Sequence, residues 1–211
     1  MIHLYDYELS GNCYKLRLLL HWLGLAYERI PVDFHPGRAH RSAHFLQHIN
    51  PLGQLPVLAD GDFLLRDAQA GLVYLASRYD PGHQWYPDDA QTRGRITSWL
   101  ATADDLTRSV AAARQHYSFG LHADIPRCEV LAHATLRLMD DTLAEQQATA
   151  QQWLAGTAQP SIADIACFAY AALAPEARID LRRYPALQRW IHAMRHQPGF
   201  IAMPGILDPA L

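Results

Sequence analysis

The stretch Asn50-Pro51-Leu52-Gly53-Gln54-Leu55-Pro56 decides how the first part of this chain is interpreted. Its closely spaced prolines and glycine exclude a regular helix or strand through it. Two apolar runs follow, Val57-Leu58-Ala59 and Phe63-Leu64-Leu65, and they flank Asp60-Gly61-Asp62. Asp-Gly between apolar runs is a strong hairpin signal. The sequence therefore predicts an irregular turn that leads into two antiparallel strands.

Upstream of this stretch, the pattern predicts a strand at Met1–Tyr7 and a helix that starts at Ser10-Gly11-Asn12, where turn and N-cap chemistry coincide. Apolar residues at helical spacing continue to Gly24, which suits a left-handed C-cap. A second strand is predicted at residues 27–32, a short helix between Gly37 and His48, and a further helix capped by Asp67. The predicted element order is βαβαββα.

The rest of the chain is predicted to be helical. Residues 80–89 are rich in Pro, Gly and Asp and are interpreted as a linker. Three amphipathic stripes follow, which are Ile96, Trp99, Leu100 and Ala103; Ala132, Leu136, Met139 and Leu143; and Leu187, Trp190, Ile191 and Met194. Ser161 and Asp164 form a capping box ahead of an almost wholly apolar helix, which we expect at the centre of the second domain.

Composition excludes several classes of protein. The 211 residues are half apolar and carry a net charge of −3 without a basic cluster, so nucleic acid is not an expected partner. The sequence has neither a signal-peptide pattern nor an apolar run of membrane-spanning length, and we therefore expect a cytoplasmic protein without a membrane partner. Cys13, Cys128 and Cys167 lack a Cys-x-x-Cys pair and are expected to be reduced thiols.

Together these motifs resemble the cytosolic glutathione transferases over essentially the whole chain. The residues that carry the resemblance are Asn-Pro-x-Gly-x-x-Pro at 50–56, Ser-x-x-Asp at 161–164, and Ser10-Gly11-Asn12-Cys13 after Leu4-Tyr5-Asp6-Tyr7. The last of these is most similar to the serine-type classes, the zeta class especially. The resemblance implies a thioredoxin-like α/β domain at residues 1–80, a linker at 81–90, and an all-helical domain at 91–211 that forms the wall of an electrophile site. It also implies a homodimer.

The resemblance further implies which residues hold glutathione. Pro56 would be cis, and Leu55 would offer its backbone N–H and C=O to the cysteinyl part of the ligand. His40 and Gln54 match positions that contact the glycyl carboxylate. Asp67 and Ala68 match the acidic residue and serine that hold the γ-glutamyl end, and Ala68 departs from that pattern because it has no hydroxyl.

Three residues at the start of the first helix are candidates for contact with the glutathione sulfur. The Ser10 hydroxyl could donate to it, or it could only cap the helix. The Asn12 amide could also donate, and Cys13 is either a thiol activated by the helix start or a small packed core residue. These alternatives stay open on sequence alone.

His40, His44 and His48 recur at a spacing of four residues and could bind zinc from one helix face, but no nearby ligand completes a site. We interpret them as a polar face, with no metal cofactor. The predicted function is a glutathione transferase, with a role in detoxification, that conjugates or isomerises a small hydrophobic electrophile by means of a bound glutathione thiolate. The alternatives are a non-catalytic glutathione-transferase-like regulatory protein and a glutathione-dependent thiol-disulfide oxidoreductase.

Overall fold

A four-stranded mixed sheet organises the first of the two units into which the chain divides, Met1–Pro81 and Gly82–Leu211. The structure is a computed structural model and describes residues 1–207. The strands are β1 (Ile2–Asp6), β2 (Tyr27–Pro31), β3 (Val57–Asp60) and β4 (Phe63–Arg66). Their order is β2-β1-β3-β4, with β1 parallel to β2 and the other pairs antiparallel. This confirms the predicted thioredoxin-like α/β fold.

Local signals correctly located both helices of this unit. Helix α1 (Gly11–Trp22) begins after Ser10, whose side chain accepts the N–H of Cys13, and Gly24 follows in the left-handed region at φ +63°. Helix α2 (Ala68–Tyr79) begins after Asp67, whose side chain accepts the N–H of Ala70. The two helices pack together through their buried apolar residues. The hairpin is also confirmed, since Gly61 turns between β3 and β4 at φ +59°.

The connection between β2 and β3 differs from the single short helix that was predicted. It holds a 3-10 turn at Ala39–Arg41 and a π-helical turn at Phe45–Ile49. Ser42 lies between them in an extended conformation, which interrupts the helix, and its hydroxyl accepts the N–H of Phe45 to start the second turn. The His35–Pro36 peptide in this connection is cis, which the sequence did not predict.

Helices are the main regular elements among the described residues of the second unit. Residues 80–89 form turns and bends, and the helices that follow are α3 (Ala90–Leu106), α4 (Ala112–Phe119), α5 (Ile125–Ala148), α6 (Ile162–Ala172) and α7 (Pro185–Arg195). A π-helical turn, Thr107–Ala111, joins α3 to α4. No helix of the described residues is both long enough and apolar enough to cross a membrane.

Helix α6 forms the buried centre of this unit, and both halves of the predicted capping box are present. Asp164 does more than cap. Its Oδ1 atom also accepts the backbone N–H of Leu154 at 3.0 Å and the indole N–H of Trp190 at 2.9 Å. Burial raises the pKa of this carboxyl, and the four hydrogen bonds that it accepts oppose the rise. Asp164 therefore joins α6 to the loop before it and to α7.

Candidate functional site

The register of the sheet brings the end of β1, the start of β3 and the end of β4 to the same side of the sheet, which we call its edge. Tyr5 near the end of β1 pairs with Val57 at the start of β3, and Val57 pairs with Arg66 at the end of β4. The chain beyond these positions carries the start of α1, the Pro56 turn and the start of α2. Residues predicted to hold one ligand, although distant in sequence, therefore lie along the same edge.

The side chain of Asn50 holds the turn that precedes β3. Its Oδ1 atom accepts the N–H of Leu52 at 3.0 Å, and its Nδ2 donates to the carbonyl of Gln54 at 3.0 Å. The N–H of Gly53 also donates to the Asn50 carbonyl at 2.9 Å. Asn50 is almost completely buried, so these bonds are shielded from water. One buried amide thus fixes the conformation of the turn.

Close packing fixes the position of this turn. A Cβ atom at Gly53, where φ is +59°, would lie only 2.9 Å from the carbonyl oxygen of His40, so glycine is required there. The Arg41 guanidinium donates to the Leu52 carbonyl at 3.2 Å, and Arg66 donates to the Ile49 carbonyl at 3.1 Å. Sequence reasoning missed both arginines, because a side chain that bonds to a distant carbonyl leaves no spacing pattern in the sequence.

Leu55 and Pro56 form the end of the turn. The peptide bond between them is cis, as the resemblance implied. Pro56 is buried and Leu55 is half-buried. Leu55 lies outside the helices and strands, and its backbone makes no hydrogen bond with the backbone of another described residue. No hydrogen bond within the described residues therefore occupies its N–H or its C=O.

Ser10 caps α1 through its oxygen, which accepts the N–H of Cys13 at 3.2 Å. A hydroxyl can accept and donate at the same time, so capping does not use its proton. Ser10 is half-buried at the point where the α1 dipole favours negative charge. Asn12 lies in the first turn of the same helix and is also half-buried. The two alternatives for Ser10, capping and donation, are thus compatible.

Cys13 is fully buried, and burial raises the pKa of its thiol to about 12. The charge of Asp6 raises this pKa further, while hydrogen bonds from Ser10 and the backbone of Tyr7 and the charge of Arg17 lower it. The thiol is consequently protonated at neutral pH and out of reach of an external substrate. The structure favours the packed core residue over the activated thiol for Cys13.

Asp67 and Ala68 form the start of α2. The exposed Asp67 accepts the N–H of Ala70 at 2.9 Å and has φ at +94°, a region that non-glycine residues adopt at a cost of about 1–3 kcal/mol. Ala68 is buried and opens the helix, where the first N–H groups have no acceptor within the helix. This is a local geometry able to bind a carboxylate.

His40 lies against the Asn50–Pro56 turn and stacks on Phe34, with ring centroids 4.1 Å apart. The side chain is 6% exposed, and its Nδ1 atom has no hydrogen-bond partner within the described part of the chain. Burial, followed by the charges of Arg41 and Arg38, lowers its pKa below the ordinary value. Burial thus favours the neutral form of the His40 imidazole. Gln54, predicted beside it, is exposed.

The three histidines of the predicted polar face do not share one helix face. His40 is buried in the 3-10 turn, whereas His44 and His48 are exposed, with rings 5.1 Å apart near the second turn. The extended Ser42 interrupts the periodicity that would align them. Among residues 1–207, no cluster of three or more metal-ligating side chains is found.

The chain is similar to known proteins in both sequence and structure. Residues 1–77 match the family model described as the glutathione S-transferase N-terminal domain. A crystal structure of a glutathione S-transferase from Xanthobacter autotrophicus aligns with a TM-score of 0.84 and 30% identity, and the match covers 100% of both chains.

Curated relatives match over shorter stretches. Human glutathione S-transferase theta-2 is 44% identical over 85 residues, which are 40% of this chain and 34% of that protein. Human glutathione S-transferase theta-1 is 35% identical over 144 residues, 67% of this chain and 59% of that protein. The chain thus spans about a third of the theta-2 length and about three fifths of the theta-1 length.

Proposed function

Because the chain belongs to the glutathione S-transferase family, we propose that it binds glutathione along this edge of the sheet and uses the thiolate to attack a small hydrophobic electrophile. The observation that carries the proposal is the open backbone of Leu55. Backbone N–H and C=O groups that lose contact with water when a ligand binds need partners in that ligand. An extended cysteinyl residue supplies one donor and one acceptor to such a backbone, as an added strand does.

The two ends of the tripeptide have complementary groups on either side of Leu55. His40, which lies against the turn, would donate to the glycyl carboxylate through a ring N–H, and the exposed Gln54 is a second donor for it. At the other end, the Ala68 N–H would meet the γ-glutamyl carboxylate, and Asp67 would attract the ammonium group. Ala68 lacks a hydroxyl, and a lost hydrogen bond to a charge is worth about 1.5–3 kcal/mol. We therefore expect weaker glutathione binding than a serine there would give.

Ser10 is the residue that we propose to hold the sulfur. Lowering the pKa of a thiol from about 8.5 to about 6.5 requires about 2.7 kcal/mol. One hydrogen bond to a charged acceptor supplies about 1.5–3 kcal/mol, and the α1 dipole adds about 0.3–1 kcal/mol. Together these are sufficient. Asn12 stays a second candidate donor, whereas the burial of Cys13 disfavours a reaction through its thiol.

The remaining features of the proposal are a serine-type subclass, a homodimer and a cytoplasmic location. The curated relatives named above belong to the theta class, so they do not support the zeta class that the first-helix motif most resembles. The electrophile would be bound by the helical second unit. Its chemical class is left to assay.

Calorimetric titration with glutathione tests the proposal, using the parent, Leu55→Pro and Leu55→Val. Proline removes the N–H at position 55, and we expect a loss of about threefold to tenfold in affinity, equivalent to one hydrogen bond. Valine retains the N–H and should bind as the parent does. Thermal melting of each variant checks that it is folded.

Two results, one from this titration and one from an assay of turnover, would contradict the proposal in different ways. No heat at millimolar glutathione in the parent contradicts glutathione binding itself. Binding of glutathione without turnover of an activated aryl chloride or an alkyl halide would support a non-catalytic glutathione-binding protein instead. The specific observation that favours this alternative is Ala68, which lacks the hydroxyl of the family's serine.

A further inference from the structure

A buried carboxylate, that of Asp6, joins β1, α1 and β2. Asp6, the last residue of β1, is 1% exposed. Its Oδ1 atom pairs with Arg17 of α1 at 2.5 Å, and its Oδ2 atom pairs with Arg29 of β2 at 2.6 Å. Each arginine therefore neutralises the same carboxylate from a different element. A buried carboxylate without such partners would be costly.

Of these two arginines, Arg17 also contacts the loop between β1 and α1. Arg17 Nη2 donates to the carbonyl of Glu8 at 2.9 Å, and Nη1 lies 3.5 Å from the carbonyl of Tyr7. The Tyr7 carbonyl also accepts the N–H of Ser10 at 2.9 Å. Arg17 thus contacts the loop carbonyls directly before the Ser10 hydroxyl. Among residues 1–207, the Arg29 side chain forms an ion pair and a hydrogen bond with Asp6 and with no other residue.

We propose that Arg17 is a positioning residue for the thiolate: held by Asp6, its guanidinium fixes the loop at residues 7–9 and thereby the direction of the Ser10 hydroxyl. This inference rests on the proposed function of Ser10. It extends that function to a side chain that contacts neither ligand nor sulfur.

The geometry requires a guanidinium in particular. A planar fork reaches the Asp6 carboxylate with one nitrogen and the Glu8 carbonyl with another, at fixed angles. A lysine at position 17 would still neutralise Asp6, but a single ammonium on a flexible stem does not hold both acceptors in one geometry. The substitution Arg17→Lys therefore keeps the positive charge beside Asp6 but removes the hydrogen bonds that the guanidinium donates to the loop.

The test compares Arg17→Lys with Arg29→Lys as a matched control, since both variants keep a positive charge beside Asp6. The readouts are the thiolate absorbance of bound glutathione against pH, and kcat and KM for an activated aryl chloride. For Arg17→Lys we expect the bound thiol pKa to rise by about one unit and kcat/KM near pH 6.5 to fall by about tenfold, because misplacement of a reacting group by about 1 Å is costly. Most of the loss should be in kcat. Arg29→Lys should leave the pH profile unchanged.

Several results would overturn this inference. One is an equal effect of the two lysine variants, and another is an unchanged thiol pKa in Arg17→Lys. If Arg17→Lys does not fold, Arg17→Gln is measured in its place. If neither folds, Arg17 acts through the stability of the unit and the inference is wrong. An unperturbed thiol in the parent contradicts the proposed function of Ser10 instead, so the two failures are distinguishable.

Discussion

At the scale of single residues, the start of α1 brings a hydroxyl, that of the N-cap Ser10, and a thiol, that of Cys13, close together in different environments. Ser10 is half-buried at the edge of the sheet, and Cys13 is enclosed by the core. Burial in an apolar environment disfavours a thiolate, whereas a hydrogen bond from a hydroxyl favours one. The internal sulfur is therefore kept as a thiol, and in the proposed function the Ser10 hydroxyl acts on the sulfur of glutathione.

Cys13 gives the prediction at this scale. All three cysteines are buried, and the Cys13 pKa of about 12 leaves almost no thiolate at neutral pH. We expect no labelling of the folded protein by a thiol-alkylating reagent at neutral pH, and full labelling in urea, as measured by mass spectrometry. The Cys13→Ala variant should keep most of the glutathione turnover while losing about 1 kcal/mol of stability. Rapid labelling of Cys13 in the native state, with loss of turnover in the variant, would contradict this account.

Single residues also explain where sequence reasoning succeeded. Ser10 and Asp67 were predicted as N-caps because a cap depends on a side chain and the N–H three residues later. His40 was predicted to share a face with His44 and His48, and this was wrong because Ser42 breaks the helix between them. The contacts of Arg41 and Arg66 with distant carbonyls depend on the folded chain, so no local pattern could have predicted them.

At the scale of elements, Asp60 links the hairpin to α2. It lies at the end of β3 and accepts the hydroxyl protons of Tyr74 at 2.7 Å and Tyr79 at 2.5 Å, both from α2. Arg78 lies 3.5 Å away. The hydrogen bond from Tyr79, then that from Tyr74, lowers the pKa of Asp60 below its ordinary 3.8. The same hairpin leads from the Pro56 turn to Asp67, so this link supports two parts of the site.

The sign of the pH effect follows from the direction of this shift. A carboxyl with a lowered pKa in the folded state stabilises the protein above its unfolded pKa, and this contribution is lost as pH falls through the folded value. We expect Tyr79→Phe to cost about 1.5 kcal/mol near pH 7, measured by urea unfolding, because it removes a hydrogen bond to a charge. The difference from the parent should shrink below pH 3.8.

Tyr27→Phe is the matched control for this prediction. Tyr27 is a half-buried tyrosine of β2 whose hydroxyl makes no hydrogen bond with the described residues. It should be close to the parent at both pH values. A cost for Tyr79→Phe that does not change between pH 7 and acid would contradict the role of the Asp60 charge.

Elements with strong local signals were predicted, and the connection between β2 and β3 was not. Its conformation depends on tertiary contacts, since Phe45 packs into a cluster with Val32 and Val57, and the His40 ring stacks on Phe34. The Asn50–Pro56 turn combines both cases. Its prolines and glycine were recognised in the sequence, while the part played by the buried Asn50 amide emerged only from the fold.

At the scale of the whole molecule, the two units have different roles in the proposed function. The first carries the complete set of proposed glutathione contacts, from Ser10 to Ala68, and it contains the family-model match. The second is built around α6, with the Asp164 carboxylate bonded to Ser161, Leu154 and Trp190. The homodimer implied by the resemblance stays a prediction, which sedimentation velocity would test.

The most direct measurement is a pH titration of glutathione bound to the parent and to Ser10→Ala, with thiolate formation followed by ultraviolet absorbance. The account predicts that the parent ionises the bound thiol about two units below its free pKa of about 8.5 and that Ser10→Ala returns most of that shift. Ser10→Gly, which costs the helix cap only a few tenths of a kcal/mol, should behave like alanine and so separates the lost donor from the lost cap. A bound thiol in the parent that ionises as free glutathione does, or the same lowered pKa in all three proteins, would contradict the central claim.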